Sequence, residues 1–103
     1  MKLISIENIP GQNYEVLGLV RGTIVQSKNL GRDFMAGMKT LVGGEIAGYT
    51  EMLNDARNIA IGRMVSEATA IGADAIVNVR FATASVMAGS AEIIAYGTAV
   101  KFK

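Results

Sequence analysis

The 103-residue sequence contains no cysteine and no histidine. Their absence excludes disulfides, thiol nucleophiles, Ser-His-Asp triads, haem ligation by these residues and zinc sites of the Cys/His type. Any metal would have to be bound by carboxylates or carbonyls, which suit hard cations, or by methionine sulfur, which suits Cu(I). Because no recognisable catalytic constellation is left, we expect a binding or structural function rather than an enzymatic one.

Aromatic residues, proline and excess charge are also scarce. Aromatics make up 6% of the chain, proline occurs once, and the formal net charge is +1. Acids and bases are interspersed, so we expect no nucleic-acid partner. The longest stretch without a charged residue, Phe81–Ala91, is too short to span a bilayer. The first residues, MKLISIENIPG, do not resemble a signal peptide, so a cytoplasmic location without a membrane partner is the default expectation.

Half of the residues are hydrophobic, and the mean hydropathy is +0.34. With so few aromatics, the core must be built from aliphatic side chains and methionine. At this length we expect a single domain over residues 1–103, with a core of modest size.

The stretch Tyr49–Asp74 is predicted to form one long amphipathic helix followed by a glycine stop. Its apolar residues recur at intervals of three and four, at Tyr49, Met52, Leu53, Ala56, Ile59, Ala60, Met64, Ala68 and Ile71. Gly72 supplies the positive-φ position that commonly ends a helix. Ile61 and Val65 lie away from the centre of this stripe. Either the stripe is wide and packs on a single sheet, or a second partner, such as another subunit, covers the extra apolar surface.

Four segments have the composition of β-strands: Met1–Ile6, Tyr14–Ser27, Ala75–Phe81 and Ala91–Phe102. A weak strand and a turn are predicted between Ala82 and Ser90, and a short helix after Gly31 within Lys28–Val42. Gly18 and Gly22 indicate a bulge or the close approach of another backbone.

The chain order predicts the sheet topology. A crossover joins Tyr14–Ser27 to Ala75–Phe81, so these strands should run parallel. The last strand follows by a hairpin, should run antiparallel, and should lie centrally between them. Its row of small residues should lie beneath the long helix; this row is Ala95, Gly97 and Ala99. Simple alternation in the preceding strand would place Val77, Val79 and Phe81 on one face, and Ile76, Asn78 and Arg80 on the other.

Three segments carry a resemblance to a known family: GRDFMAGMKTLVGGEIAGYTEMLNDAR, IGADAIVNVR and GTAVKF. Their joint signature comprises Arg32-Asp33, Gly43-Gly44, Tyr49, Ala56-Arg57, Gly72-Ala73-Asp74 and Gly97-Thr98-Ala99-Val100. In combination they resemble the YbjQ-like family, which is often labelled heavy-metal-binding and whose function is not established. The label fits this sequence poorly, because soft heavy metals prefer cysteine and histidine.

The resemblance implies an α+β fold similar to the dodecin subunit. In this two-layer β-α-β-β unit, one long helix packs on a mainly antiparallel sheet with the last strand central, and a short helix and short extra strands are added. It also implies that the subunits assemble into a ring-shaped homopentamer.

The candidate ligand-binding residues each have a structural alternative. Arg32 and Asp33 lie at a predicted strand-to-helix corner, where Asp33 could instead cap the short helix and Arg32 could form an ion pair. Gly43 and Gly44 could let backbone N–H groups approach an anion, or could simply form a helix–helix corner.

Two further candidates flank these motifs. Arg57 could instead pair with acids of its own helix. Asp74 could instead fix the turn between the helix and the next strand.

Metal binding has weaker candidates. Glu45, Glu51 and Asp55 could hold a hard cation, or could be solvated acids that stabilise the start of the helix. The methionines could bind Cu(I), but core packing accounts for them equally simply; they are Met35, Met38, Met52 and Met64.

Three hypotheses follow for the function. The first is a small oligomeric binding or scaffold protein, with any ligand at subunit boundaries or in the lumen of a ring. The second is metal binding through carboxylates and carbonyls. The third is an interface enzyme that uses Arg32 and Asp33. No cofactor can be named from the sequence.

Overall fold

The structure is a computed structural model that describes residues 1–26, 49–87 and 90–103. It contains β1 (Lys2–Leu3), β2 (Tyr14–Gln26), α1 (Tyr49–Ala70), β3 (Ala75–Met87) and β4 (Ser90–Phe102). The predicted short helix within Lys28–Val42 lies outside the described residues. No helix among the described residues is long and apolar enough to cross a membrane.

The described strands form one mixed sheet in the order β1-β3-β4-β2. Strand β4 is antiparallel to both β2 and β3, so β2 and β3 run parallel to each other, and β1 pairs parallel to β3. The central position of the last strand and the parallel crossover are both confirmed. Strand β3 is longer than the predicted Ala75–Phe81, because the segment predicted as a separate weak strand continues it to Met87.

The N-terminal segment adds only a short strand. Met1–Ile6 was expected to form it, and regular pairing is confined to Lys2 and Leu3. Beyond that point the segment still hydrogen-bonds to β3, since the amides of Asn78 and Val79 donate to the carbonyls of Ile6 and Ile4.

Helix α1 covers β2 and β4, and their small residues let it approach closely. The buried cluster between the two layers consists of Val20, Ala56, Ala60, Met64, Ala68, Ile76, Ile93, Ala95 and Ala99. At Gly22 the approach is so close that an added Cβ would overlap the carbonyl oxygen of Ala60 and the amide nitrogen of Met64. The predicted placement of the small row of β4 beneath the helix is confirmed for Ala95 and Ala99. Gly97 lies in the same row and is buried, and its added Cβ would lie 2.7 Å from Cγ2 of Ile76.

The helix stripe is wide. Ile61 and Val65 are half-buried and pack against the chain's own core cluster, so a single sheet accounts for much of their burial. Ile59 and Ile71 of the same apolar pattern are instead exposed to solvent.

The helix ends in a Schellman motif. Gly72 has φ of 80°, the amide of Ala73 donates to the carbonyl of Ala68 at 3.0 Å, and the amide of Gly72 donates to the carbonyl of Thr69 at 3.0 Å. The helix itself stops at Ala70, and the predicted role of Gly72 as its terminator is confirmed.

Two β-bulges flank β4 at nearly the same level. In β2 the pairing shifts between Val16 and Gly18, which confirms the bulge predicted near Gly18. In β3 the pairing passes from Val77↔Thr98 to Arg80↔Tyr96, so two residues oppose Gly97. One of these, Asn78, has a positive φ of 54°, a conformation that asparagine tolerates better than most residues.

The bulge in β3 makes the predicted alternation wrong. Directly opposed residues of antiparallel strands share a face. Val77 and Arg80 therefore share the face turned away from the helix, whereas Ile76 and Phe81 share the helix face, because their partners are Ala99 and Ala95. The extra residue in the bulge changes the phase of the pattern, and no period of two can reproduce that change.

The face turned away from the helix is only partly covered. A second buried cluster at the N-terminal end of β3 joins Ile9, Ala75, Val77 and Val100. Farther along the same face, Leu19 and Val25 of β2 are 68% and 49% exposed. The helix thus covers β2 and β4 on one face, while the distal part of the other face is open.

Candidate functional site

Several predicted site residues lie outside the described residues. These are Arg32, Asp33, Gly43, Gly44 and Glu45. Their assignments as ligand or metal contacts stay predictions.

Arg57 lies on the surface of α1. Its Nη1 donates a hydrogen bond to Oδ1 of Asn54, one turn earlier on the helix, at 3.0 Å. The predicted ligand contact is untested, and the observed bond is local to the helix surface.

Asp74 connects the end of the helix to the last strand. Its Oδ2 accepts a hydrogen bond from the amide of Phe102 at 2.8 Å, and its own amide donates to the carbonyl of Val100 at 2.8 Å. Nearby, Nζ of Lys101 donates a hydrogen bond to the carbonyl oxygen of Gly72 at 3.4 Å. These bonds hold the turn after α1 against β4, the structural alternative considered for this residue.

Glu51 and Asp55 are exposed on the first turns of α1. Among the residues that the structure describes, no three carboxylates lie close enough together to hold a metal ion. Among the described residues, the structure therefore does not bring the metal candidates together into a site.

Arg80 joins two parts of the fold. Its Nη1 donates to the carbonyl of Ser5 at 2.6 Å and to that of Val79 at 3.0 Å. The guanidinium thus ties the N-terminal segment to the bulge in β3, while its charge stays at the open face.

Both edges of the sheet have long stretches of backbone that no other described residue pairs with. Strand β2 pairs with β4 on one side and with no described residue on the other. On the outer side of β3, the register with β1 ends at Ile76, and backbone bonds to the N-terminal segment end at Val79. From Phe81 onwards this side of β3 has no described neighbour.

A cavity of about 570 Å³ lies on the open face of the sheet. Its lining consists of Leu19, Arg21, Thr23, Glu92, Ile94 and Tyr96. None of the predicted site residues is among them. The alternation of Leu19, Arg21 and Thr23 along β2 was the available signal, but the position of the bulge at Gly18 decides which face they occupy.

Comparison with known proteins identifies the family. A model of the family described as "Putative heavy-metal-binding" (YbjQ) matches residues 1–103. The UPF0145 protein of Helicobacter hepaticus is 61% identical over 101 residues, covering 98% of this chain and 97% of that relative. The UPF0145 protein of Thermosipho africanus is 61% identical over 104 residues, covering 100% of this chain and 96% of that relative.

A solved structure shares the fold. The crystal structure of a protein of unknown function from Pediococcus pentosaceus, assigned to the DUF74 family, superposes with a TM-score of 0.70 at 14% identity. The match covers 100% of this chain and 98% of the other, and at this identity it concerns the fold alone. From the family model and the two relatives, the chain belongs to the YbjQ-like family, together with these UPF0145 proteins.

Proposed function

We propose that this chain is the subunit of a homo-oligomeric binding or scaffold protein, a pentameric ring whose ligand site lies where subunits meet. The observation that carries the proposal is the pair of sheet edges, on β2 and on the distal part of β3, that no described residue covers. Unpaired N–H and C=O groups along a long edge form a template for pairing with another chain, so proteins usually blunt or cover them.

The protection of both edges is incomplete. Strand β2 carries Glu15, Arg21 and a bulge in its first part, but Gly22–Gln26 contains no charged residue and no proline. On β3, Phe81–Met87 contains no charged residue. Apolar side chains lie close to both edges: Val16 on β2 is 65% exposed, and Phe81 on β3 is 46% exposed. Burial of such residues between subunits would contribute about 25 cal/mol for each Å² of apolar surface.

The two edges differ, and this favours a ring. Pairing of the β2 edge of one subunit with the β3 edge of the next is a heterologous contact, which closes into a ring when the rotation between subunits allows it. The pentameric number rests on the family resemblance. The same arrangement would place residues from two subunits on either side of each boundary, where a ligand could bind both.

Light scattering coupled to size exclusion tests the proposal. The chain should elute as a multiple of its 10.9 kDa mass, with five copies as the expected number. Val16→Lys and Phe81→Lys should each reduce the mass, because a lysine on either edge opposes strand pairing. Ser66→Lys, on the exposed surface of α1, is the matched control and should leave the mass unchanged.

A mixture of the two edge variants makes the test sharper. The Val16→Lys chain retains an intact β3 edge, and the Phe81→Lys chain retains an intact β2 edge. If the contact is heterologous, mixing them should produce a dimer that neither variant forms alone. A wild-type monomer at micromolar concentration, or edge variants with the wild-type mass, would refute the proposal.

The metal-binding label of the family supports a second candidate, but the residues fit it only in part. Without cysteine or histidine, a soft heavy metal has only methionine sulfur as a preferred ligand, and Met64 is fully buried in the core. Of the predicted carboxylate ligands for a hard cation, Glu51 and Asp55 belong to no cluster of described carboxylates, and Glu45 lies outside the described residues. Calorimetric titration with Mg²⁺, Ca²⁺, Mn²⁺, Zn²⁺ and Cu⁺ decides the matter, and the absence of heat with all five would end this candidate.

Catalysis by Arg32 and Asp33 at a subunit interface is the remaining prediction. It requires the two residues to be enclosed together in a polar pocket. A crystal structure of the assembly in which they are open to bulk solvent would remove it.

A further inference from the structure

The cavity on the open face of the sheet has the size of a small-molecule site. Its volume of about 570 Å³ lies within the range of roughly 300–1,000 Å³ that is typical of such sites. Two apolar side chains, Leu19 and Ile94, and four polar ones line it. It lies within a single subunit, and three of its lining residues, Leu19, Arg21 and Thr23, belong to β2, the strand whose outer edge is proposed to pair with another subunit.

One end of this cavity is suited to an anion. Arg21 of β2 lies directly opposite Tyr96 of β4, and Arg80 of β3 lies directly opposite Tyr96 on its other side. All three side chains therefore leave the same face of the sheet. Arg21 and Tyr96 line the cavity, whereas the guanidinium of Arg80 is bonded to the carbonyls of Ser5 and Val79 beside it. The guanidinium of Arg21 and the hydroxyl of Tyr96 form no hydrogen bond or ion pair with the described part of the chain, so both can donate to a ligand.

The other end carries a negative charge. Glu92 lies four residues before Tyr96 on β4, which is roughly 13 Å along the strand. The register places Thr23 and Ile94 opposite each other in the row between them. Glu92 makes no ion pair with Arg21 or with any other described residue, although both line the same cavity. The two charges thus stand at opposite ends, with a mainly uncharged floor between them.

From this arrangement we infer that the cavity binds a small zwitterionic molecule. Its anionic group is held by Arg21 and Tyr96, with Arg80 adding positive charge beside them. Its ammonium group is held by Glu92, and the stem between the two groups lies over Ile94 and Thr23. A ligand with only one of these charges would leave the opposite end of the cavity unpaired and would bind more weakly.

Amino carboxylates of graded length test the inference. The probes are 4-aminobutanoate, 6-aminohexanoate and 8-aminooctanoate, with hexanoate and hexylamine as ligands that carry one charge only. Binding is measured by calorimetry, and the site is located from amide chemical-shift changes in β2 and β4. We expect one of the longer amino carboxylates to bind at least about fivefold more tightly than either singly charged ligand, since each end adds a charge-assisted contact.

Two variants assign the ends of the ligand. Arg21→Gln should reduce the affinity for the amino carboxylate to about that of hexylamine, and Glu92→Gln should reduce it to about that of hexanoate. Glu67→Gln makes the same chemical change as Glu92→Gln on α1, on the other side of the sheet, and Lys2→Gln removes an exposed positive charge at the far edge of the sheet; both should have no effect. Circular dichroism of each variant shows whether it is folded.

The outcomes separate this inference from the proposed ring. Absence of binding by all three amino carboxylates at millimolar concentration would overturn it, as would equal affinity for singly and doubly charged ligands. Unchanged affinity in both Arg21→Gln and Glu92→Gln would also overturn it. A monomeric chain that binds the amino carboxylate through Arg21 and Glu92 would uphold the inference while refuting the ring.

Discussion

Alternate residues of β4 point into two very different surroundings. Ala95 and Ala99 are buried beneath α1, whereas Tyr96, between them in the sequence, is 37% exposed on the opposite face. The helix face consists of small residues, so the backbones of helix and sheet come into close contact. The distal part of the open face carries bulky and charged side chains that no other described part of the chain covers. The comparison shows that the main buried cluster lies on one face and that the distal part of the other is exposed.

Truncation of one large side chain on each face tests the difference between the two faces most directly. Met64→Ala on the helix face removes a fully buried side chain, and we expect a loss of about 3 kcal/mol in the free energy of unfolding. Leu19→Ala on the open face should change it by less than about 0.5 kcal/mol, because Leu19 is mostly exposed.

Urea denaturation at a fixed protein concentration measures both variants, since assembly would make apparent stability depend on concentration. A loss for Leu19→Ala as large as that for Met64→Ala would mean that the open face is covered in solution.

The close contact between α1 and β2 can be tested by adding a single methyl group. Gly22→Ala should cost about 2–3 kcal/mol, because its Cβ would overlap backbone atoms of Ala60 and Met64 and the helix would have to move. Gly62→Ala is the matched control: its Cβ would have no heavy atom within 4 Å, and it should stabilise the helix by roughly 0.5–1 kcal/mol. Equal effects of the two substitutions would contradict the observed helix position.

The connection between the helix layer and the last strand should give the smallest effect. Asp74→Ala removes the acceptor for the amide of Phe102, and we expect a loss of about 1–2 kcal/mol. Asp55→Ala, on the exposed surface of α1, should cost less than about 0.5 kcal/mol. Amide hydrogen exchange should show faster exchange at Phe102 in the Asp74 variant alone, and unchanged exchange there would argue against this role.

The sequence was sufficient to predict most of the fold. The three-and-four spacing within Tyr49–Asp74 located the helix. Gly72 indicated where the helix ends, and the small row of β4 indicated the surface on which it packs. The hairpin and crossover then determined the strand order. These features depend on local chemistry and chain order, both of which can be read without coordinates.

The candidate site was less accessible from sequence. Arg21, Tyr96 and Glu92 are ordinary strand residues, and their grouping depends on the register between strands. That register depends in turn on the bulges at Gly18 and Asn78. Glycine indicated the first bulge, but the positive φ of Asn78 has no comparable signal in the residue pattern. The Arg32-Asp33 pair stood out as a motif instead, and it lies outside the described residues.

The two bulges also determine where the chain tolerates a change in length. Removal of the extra residue at Leu17 or at Asn78 would convert a bulge into regular pairing, and every residue beyond it would keep its partner on β4. Removal of a regularly paired residue, such as Thr83 of β3, would turn the side chains on one side of the deletion to the opposite face of the sheet. Buried positions would then receive residues suited to the solvent-exposed face, so natural variation in strand length should be confined to points where the pairing register is already irregular.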